Sequence, residues 1–107
     1  MVRHGQLVGI RKERLDEYIK YHANVWPEIL DKIKECNIHN YSIYQYEDML
    51  FAYFEYTGTD FEADMVKMAA DKKTQEWWDI MIPMQKPVGG GDGAPEWIEL
   101  KEVFHAD

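Results

Sequence analysis

Residues 38–56 read IHNYSIYQYEDMLFAYFEY, and they give the strongest indication of the fold. Aromatic and β-branched residues fill both of its halves, and such side chains favour extended strands. The polar pair Glu47-Asp48 separates the two halves, as the turn of a hairpin does. The sequence therefore predicts two antiparallel strands, Ile38–Tyr46 and Met49–Tyr56, joined by a tight turn.

Both faces of this hairpin carry bulky side chains. Alternate residues of a strand point to opposite faces of a sheet, so Tyr41 and Ile43 share one face while Tyr44 and Tyr46 share the other. Helices can cover one face, but a large bare apolar surface on the other face is uncommon in monomers. The pattern therefore predicts that a ligand, a second subunit or both cover the other face, and we expect a homodimer.

A long helical pattern lies upstream of the hairpin, after a first strand expected at residues 6–10. Within residues 12–36, apolar and aromatic side chains recur at intervals of three and four positions, as on one face of a helix. These side chains are Leu15, Tyr18, Ile19, His22 and Trp26. Pro27 interrupts the pattern because it has no backbone N–H to donate, so we expect a kink or break at residues 23–27, with Asn24 as a new helix cap.

Downstream of the hairpin, the sequence predicts two helical segments, a loop and a last strand. Thr59 and Asp60 can cap a helix that runs to about residue 72, and a shorter helix or turn is expected over residues 74–81, before Pro83. Residues 86–95 hold four glycines and two prolines, which predicts a loop. Residues 97–104 alternate well enough to form the last strand.

The resulting order of elements is βαββαβ. A chain of 107 residues has the length of one domain, since most domains hold about 100 to 150 residues. The order is typical of an α+β, ferredoxin-like fold, in which helices pack on one face of a four-stranded antiparallel sheet. We therefore expect residues 1–107 to form a single domain of this type.

The net charge and the cysteine content of the chain limit the partners and the cellular compartment that we expect. The formal net charge of −8 opposes binding to nucleic-acid phosphates and to anionic membranes. No apolar run approaches the roughly 18 to 20 residues that span a bilayer, and no secretory signal is evident. Cys36 is the only cysteine, which suits a reducing compartment. We expect a cytoplasmic protein that binds neither nucleic acid nor membrane.

Tyr18 and His22 are the first candidate functional pair. Their spacing of four places them one turn apart on the same helical face. A neutral imidazole can accept or give a proton near neutral pH, and a nearby phenol can orient it, so the pair is suited to general acid–base catalysis. The alternative is that both side chains belong to the buried face with Leu15 and Ile19, and the spacing alone favours this alternative.

Trp77 and Trp78 form the second candidate group. Neighbouring residues on a helix point about 100° apart, so the two indoles cannot both lie at the centre of one narrow core stripe. An indole can pack on the C–H face of a sugar while its N–H binds a hydroxyl. The tandem therefore indicates either a sugar-binding wall or a combination of core and dimer contacts.

The sequence contains no pattern typical of a metal site or of a phosphate-binding loop. His4, His22, His39 and His105 show no spacing typical of metal ligands, and we expect no metal site. The glycine-rich residues 89–93 lack the lysine and the following helix of a phosphate-binding loop. A flexible loop or lid is the better interpretation of that segment.

Several separated blocks carry a family resemblance: EYIKYH at 17–22, WPE at 26–28, HNYSIY at 39–44, LFA at 50–52, QEWW at 75–78 and EVFH at 102–105. Together they resemble the L-rhamnose mutarotases over nearly the whole chain. The resemblance implies a dimeric ferredoxin-like fold of the α/β-barrel type. It also implies a cytoplasmic isomerase that interconverts the pyranose anomers of L-rhamnose without a cofactor.

The resemblance also implies roles for five residues. His22 matches the proton donor of the family, and the sugar-contacting positions match Tyr18, Tyr41, Trp77 and Trp78. In the implied reaction, His22 delivers a proton to the ring oxygen as the ring opens; the base remains unassigned. Residues 85–96 depart from the family pattern, because a glycine-rich stretch replaces the usual sequence there, so the preferred sugar could be L-rhamnose or a close relative.

Two other functions remain open at this level. One is a cofactor-free monooxygenase of the same dimeric fold, which would consume oxygen with an electron-rich aromatic substrate and leave sugar anomers unchanged. The other is a non-catalytic sugar-binding module, which would bind the sugar without changing the rate of anomer exchange.

Overall fold

The computed structural model describes all 107 residues, Met1–Asp107. Five strands and four helices follow one another along the chain, and single turns of 3₁₀ helix at Lys12–Arg14 and Ile82–Met84 precede α1 and β4. In order, the elements are β1 Val2–Ile10, α1 Leu15–His22, α2 Pro27–Glu35, β2 Ile38–Tyr46, β3 Met49–Tyr56, α3 Phe61–Ala69, α4 Lys72–Met81, β4 Gln85–Lys86 and β5 Ile98–Leu100. None of the helices is long and apolar enough to cross a membrane.

The strands form one antiparallel sheet with the order β2-β3-β1-β4. The strand β5 also pairs with β1, and because β3 occupies one edge of β1, β4 and β5 share the other edge. The central strand β1 thus has partners along nearly its whole length. The predicted α+β fold with an antiparallel sheet is confirmed.

The hairpin has the predicted bounds. Its turn contains Glu47 with φ 51°, and Tyr46 pairs with Met49 across the strands. A β-bulge interrupts the pairing between His39 and Ser42, where Asn40 adopts φ 48°. A bulge places an extra residue in one strand and redirects its neighbours. Here it brings the ring of Tyr41 to 5.6 Å from that of Phe54.

The two faces of the sheet separate as the alternation predicts. In β3, every second residue is buried against the helices, namely Leu50, Ala52, Phe54 and Tyr56. Tyr41 and Ile43 lie on this helix-covered face, because Tyr41 contacts Phe54 and Ile43 pairs with Ala52. Tyr44 and Tyr46 point to the opposite, outer face and are exposed.

The helical region upstream of the hairpin breaks where the proline predicts. The helix α1 ends at His22 and α2 begins at Pro27, whose fixed φ suits the first position of a helix. Asn24 does not cap α2; the residue before the helix is Trp26, and its side chain makes no capping bond. The Asn24 prediction was wrong because Pro27 starts the helix three residues further on, whereas the N–H of Asn24 bonds Tyr21 at the end of α1.

The capping predicted after the hairpin is partly confirmed. The Asp60 side chain accepts a hydrogen bond from the N–H of Ala63 and begins α3. A second aspartate, Asp71, begins α4 earlier than expected by accepting bonds from the N–H and hydroxyl of Thr74.

The first and last strands differ in length from the predicted ones. The first strand is longer than residues 6–10, and Gln85–Lys86 pairs with Gly9 and Ile10 as a short strand before the loop. Two residues are too few to produce a recognisable alternation. The last strand stops at Leu100, and beyond it the chain contacts β1 through an Arg3–Glu102 ion pair instead of a backbone ladder.

Candidate functional site

A cavity of about 1190 Å³ lies between the helix-covered face of the sheet and the helices. This volume exceeds the roughly 300 to 1,000 Å³ of typical small-molecule sites, so a monosaccharide fits easily. Hydrophobic residues dominate its lining. All five residues selected from the sequence line it: Tyr18, His22, Tyr41, Trp77 and Trp78. The fold therefore brings together side chains from α1, β2 and α4.

His22 is the last residue of α1, and its ring is held in one tautomer. The Nδ1 atom lies 2.8 Å from the carbonyl oxygen of Tyr18, and since a carbonyl can only accept, Nδ1 carries a proton and donates it. Burial lowers the pKa of His22, and the hydrogen bond to Tyr18 opposes this effect only in part. At neutral pH the ring is therefore mainly neutral, with a lone pair on Nε2.

Tyr18 lies one turn before His22, and the two rings stack with centroids 4.3 Å apart. Only 4% of Tyr18 is exposed. Burial raises the pKa of its phenol, while a hydrogen bond from the side-chain amide of Gln85 acts in the opposite direction. Tyr18 therefore keeps its proton at neutral pH and can serve as a hydrogen-bond donor.

Tyr41 reaches the cavity from the bulge in β2. Although 39% of the residue is exposed, burial raises the pKa of its phenol strongly. The nearby Tyr18 raises this pKa further. Tyr41 therefore forms part of the cavity wall and remains protonated at neutral pH.

The tandem tryptophans diverge as the helical geometry predicts. Trp77 is 6% exposed and belongs to the main core cluster, whereas Trp78 is only partly buried and packs against that cluster. The Trp77 ring makes edge contacts with His22 at 5.4 Å and with Trp26 at 5.1 Å between centroids. Trp77 therefore packs in the core and also holds the imidazole in place.

Gln6, Gln85 and Trp97 are among the polar and aromatic cavity residues that the sequence did not single out. Gln6 lies at an inward position of β1, a signal that the alternation of that strand could have provided. Gln85 and Trp97 flank the glycine-rich loop and approach the cavity only because β4 and β5 both pair with β1. No three His, Cys, Asp or Glu side chains come together in a way that could hold a metal ion.

Comparison with known proteins gives a consistent result. The family model described as L-rhamnose mutarotase matches residues 3–106. The L-rhamnose mutarotases of Oceanobacillus iheyensis and Bacillus subtilis are 36% and 35% identical to this chain, and each alignment covers 100% of both proteins.

A solved structure extends the match to the fold. The crystal structure of L-rhamnose mutarotase from Formosa agariphila superposes with a TM-score of 0.80 and 25% identity, covering 100% of both chains. On the sequence match over nearly its entire length and on this shared fold, the chain belongs to the L-rhamnose mutarotase family.

Proposed function

We propose that this protein is an aldose mutarotase that interconverts the α and β pyranose anomers of L-rhamnose or a closely related sugar. The family membership supports this activity over an oxygenase or a passive sugar-binding module. The main support comes from His22, which lines an aromatic cavity beside protonated phenols. Its Nε2 atom is unpaired, and the hydrogen bond from its Nδ1 to Tyr18 holds the ring in place.

The reaction needs one proton to move between two oxygens of the same carbon centre. When the ring opens, the anomeric hydroxyl loses a proton, the bond from C1 to the ring oxygen breaks, and the ring oxygen gains a proton. Both oxygens are attached to C1, so one imidazole nitrogen can reach either of them. In this proposal the neutral His22 accepts the anomeric proton at Nε2 and delivers it to the ring oxygen.

Reclosure completes the exchange of anomers. After rotation about the bond between C1 and C2, the hydroxyl attacks the opposite face of the aldehyde, and His22 moves the proton back to the new anomeric oxygen. Because the imidazole ends in its starting form, this scheme needs no cofactor and no separate base.

The phenols of Tyr18 and Tyr41 donate hydrogen bonds to sugar oxygens, which their raised pKa values permit. The indoles of Trp77 and Trp78 form the wall that the C–H faces of the sugar contact. A positioned acid–base group typically contributes about 10² to 10⁴-fold in rate.

Saturation-transfer proton NMR on the anomeric signals tests this activity directly. Catalytic amounts of protein are added to L-rhamnose and, in parallel, to L-fucose, L-mannose and D-glucose. We expect faster exchange with L-rhamnose or with one of its close relatives. Unchanged exchange with all four sugars would contradict the proposal, and oxygen-uptake and sugar-binding assays would then test the two alternatives.

We also propose that the chain acts as a homodimer of single domains spanning residues 1–107, in the cytoplasm and without contact to nucleic acid or membrane. The outer sheet face supports the dimer, because Tyr44 and Tyr46 are 65% and 63% exposed there. Ile98 and Leu100 lie on the same face, since they pair with Leu7 and Gly5 of β1, and they too are exposed. The bacterial relatives and the net charge of −8 agree with the location and with the absence of polyanionic partners.

A further inference from the structure

Gln85 is a buried polar residue in the wall of the cavity. It begins β4, is only 6% exposed, and lines the same cavity as His22 and Tyr18. A carboxamide loses its bonds to water on burial, and this is unfavourable unless other partners replace them. The buried amide of Gln85 therefore needs hydrogen-bond partners other than bulk water.

The backbone around Gln85 is held from several sides. Gln85 pairs with Ile10, and the N–H of Arg11 donates to the carbonyl of Met84 at 2.9 Å. At the next residue, Lys86 forms an ion pair with Asp48 in the hairpin turn. The strands also approach closely, since a Cβ added to Gly9 would lie 2.6 Å from the carbonyl oxygen of Lys86. These contacts fix the backbone from which the Gln85 side chain extends.

The amide nitrogen of Gln85 forms a hydrogen bond with Tyr18. The Nε2 group of Gln85 donates to the phenol oxygen of Tyr18 across 3.4 Å. Because this phenol oxygen accepts from Gln85, its own proton is free to be donated elsewhere, and it donates to no group of the protein. The bond also opposes the rise in the pKa of Tyr18 that burial causes. Gln85 thus favours a Tyr18 that donates into the cavity.

The other end of the amide has no partner in the protein. In residues that are not themselves exposed, every fully enclosed side-chain nitrogen or oxygen has a hydrogen-bond partner. Since the Oε1 atom of Gln85 makes no such bond, it is not fully enclosed, and the open space that this residue lines is the cavity. An unpaired acceptor on a residue that is more than nine-tenths buried is a suitable partner for a sugar hydroxyl.

We propose that Gln85 is a substrate-contacting and positioning residue: its Oε1 accepts a hydrogen bond from a sugar hydroxyl while its Nε2 orients the Tyr18 phenol towards the same sugar. This inference rests on the proposed mutarotase function. It also gives residues 85–96, which depart from the family pattern, a part in sugar selection, because the first residue of that segment contacts the sugar.

The test uses Gln85→Met, which keeps the length of the side chain and removes both hydrogen-bonding groups. The NMR exchange assay on L-rhamnose yields kcat and KM for the wild type and the variant. We expect KM to rise and kcat/KM to fall by about 10-fold or more, because one hydrogen bond is lost and a sugar hydroxyl stays unpaired. Gln75→Met is the matched control, since Gln75 is exposed and bonds only the carbonyl of Ala69.

Monodeoxy sugars separate contact with the substrate from a general structural effect. In the wild type, removing the hydroxyl that Gln85 binds should weaken kcat/KM, and in Gln85→Met the same removal should have little effect. For the positioning role, Gln85→Met should cost less in a Tyr18→Phe background than in the wild type, because no phenol remains to be oriented and only the lost contact with the sugar still counts. Gln85→Glu, which retains an acceptor but no N–H, provides a second variant should the methionine variant fail to fold.

The outcomes distinguish this inference from the proposed function. If the wild type accelerates no sugar, the mutarotase proposal fails and takes this one with it. If the wild type is active while Gln85→Met retains its KM, its kcat and its discrimination among deoxy sugars, then only the role of Gln85 is overturned.

Discussion

The two faces of the sheet use tyrosine in different ways. On the helix-covered face, Tyr18 is 4% exposed, and burial raises the pKa of the Tyr18 and Tyr41 phenols. On the outer face, Tyr44 and Tyr46 are 65% and 63% exposed and make no ring contact with another aromatic residue. Tyrosine therefore lines the floor of the cavity on one side of β2 and is mostly exposed on the other.

This difference shows that residue type alone does not distinguish a site from a contact surface. A binding site needs hydrogen-bonding groups that the protein itself leaves unpaired, as with Nε2 of His22 and Oε1 of Gln85. A contact surface needs area that solvent reaches in the free chain and a partner removes.

Replacing His22 with alanine should produce the largest loss on the helix-covered face. We expect the anomer-exchange rate to fall by about 10² to 10⁴-fold, because the group that moves the proton is absent. Sugar binding should persist, since the phenols and indoles remain. NMR exchange and calorimetric titration measure the two quantities, and His105→Ala is the matched control because His105 lies in the exposed C-terminal segment. Full activity of His22→Ala would contradict the mechanism.

The two tryptophans should respond differently to alanine. Trp77→Ala should lower the free energy of unfolding by about 3 to 5 kcal/mol, because it opens a cavity in the core beside His22 and Trp26. Trp78→Ala should destabilise the fold less and weaken sugar affinity. Urea unfolding and calorimetric titration measure these effects. Unchanged affinity in Trp78→Ala would remove that indole from the sugar-contacting wall.

The lowered pKa of His22 predicts a pH profile with a definite sign. The neutral ring starts the proposed reaction, so kcat/KM should be constant at neutral pH and fall as the pH drops through the pKa of His22, below its ordinary value of 6.5. The raised pKa values of Tyr18 and Tyr41 should leave no second step near neutrality. A rate that instead increases on acidification would mean that the imidazolium form starts the reaction.

Protonation of His22 should also change the free energy of unfolding. The unfolded chain has the ordinary histidine pKa and so binds more protons than the folded chain as the pH falls below about 6.5. His22 should therefore reduce the free energy of unfolding on acidification. Urea unfolding of the wild type and His22→Ala at several pH values checks this, because the part of the decrease due to His22 should be absent in the variant.

On the outer face, a double change of Tyr44 and Tyr46 to glutamate should leave the fold nearly intact and weaken self-association. Both side chains are exposed in the single chain, whereas in a dimer the new charges would be buried against a partner. Light scattering coupled to size-exclusion chromatography measures the mass. Val66→Glu, at a 69% exposed position of α3, is the control. A wild type that runs as a monomer would refute the dimer.

Much of the fold could be predicted from local patterns. The hairpin bounds follow from aromatic and β-branched runs on either side of a polar pair, and the break between α1 and α2 follows from Pro27. The Asn24 cap was wrong because local capping preference does not say where a proline will restart the helix. The site residues were selected mainly by resemblance, since the spacing of Tyr18 and His22 favoured a buried face.

The sequence was enough to predict the hairpin, the helices and the faces that they bury, because strand and helix periodicity depend on backbone geometry that neighbouring residues share. The tertiary structure was needed to show that β4 pairs with β1 and brings Gln85 to Tyr18, residues that are distant along the chain. It also decided the tautomer of His22 and the burial that lowers its pKa. Those properties depend on which atoms enclose a group, and enclosure arises from packing between elements rather than from local sequence.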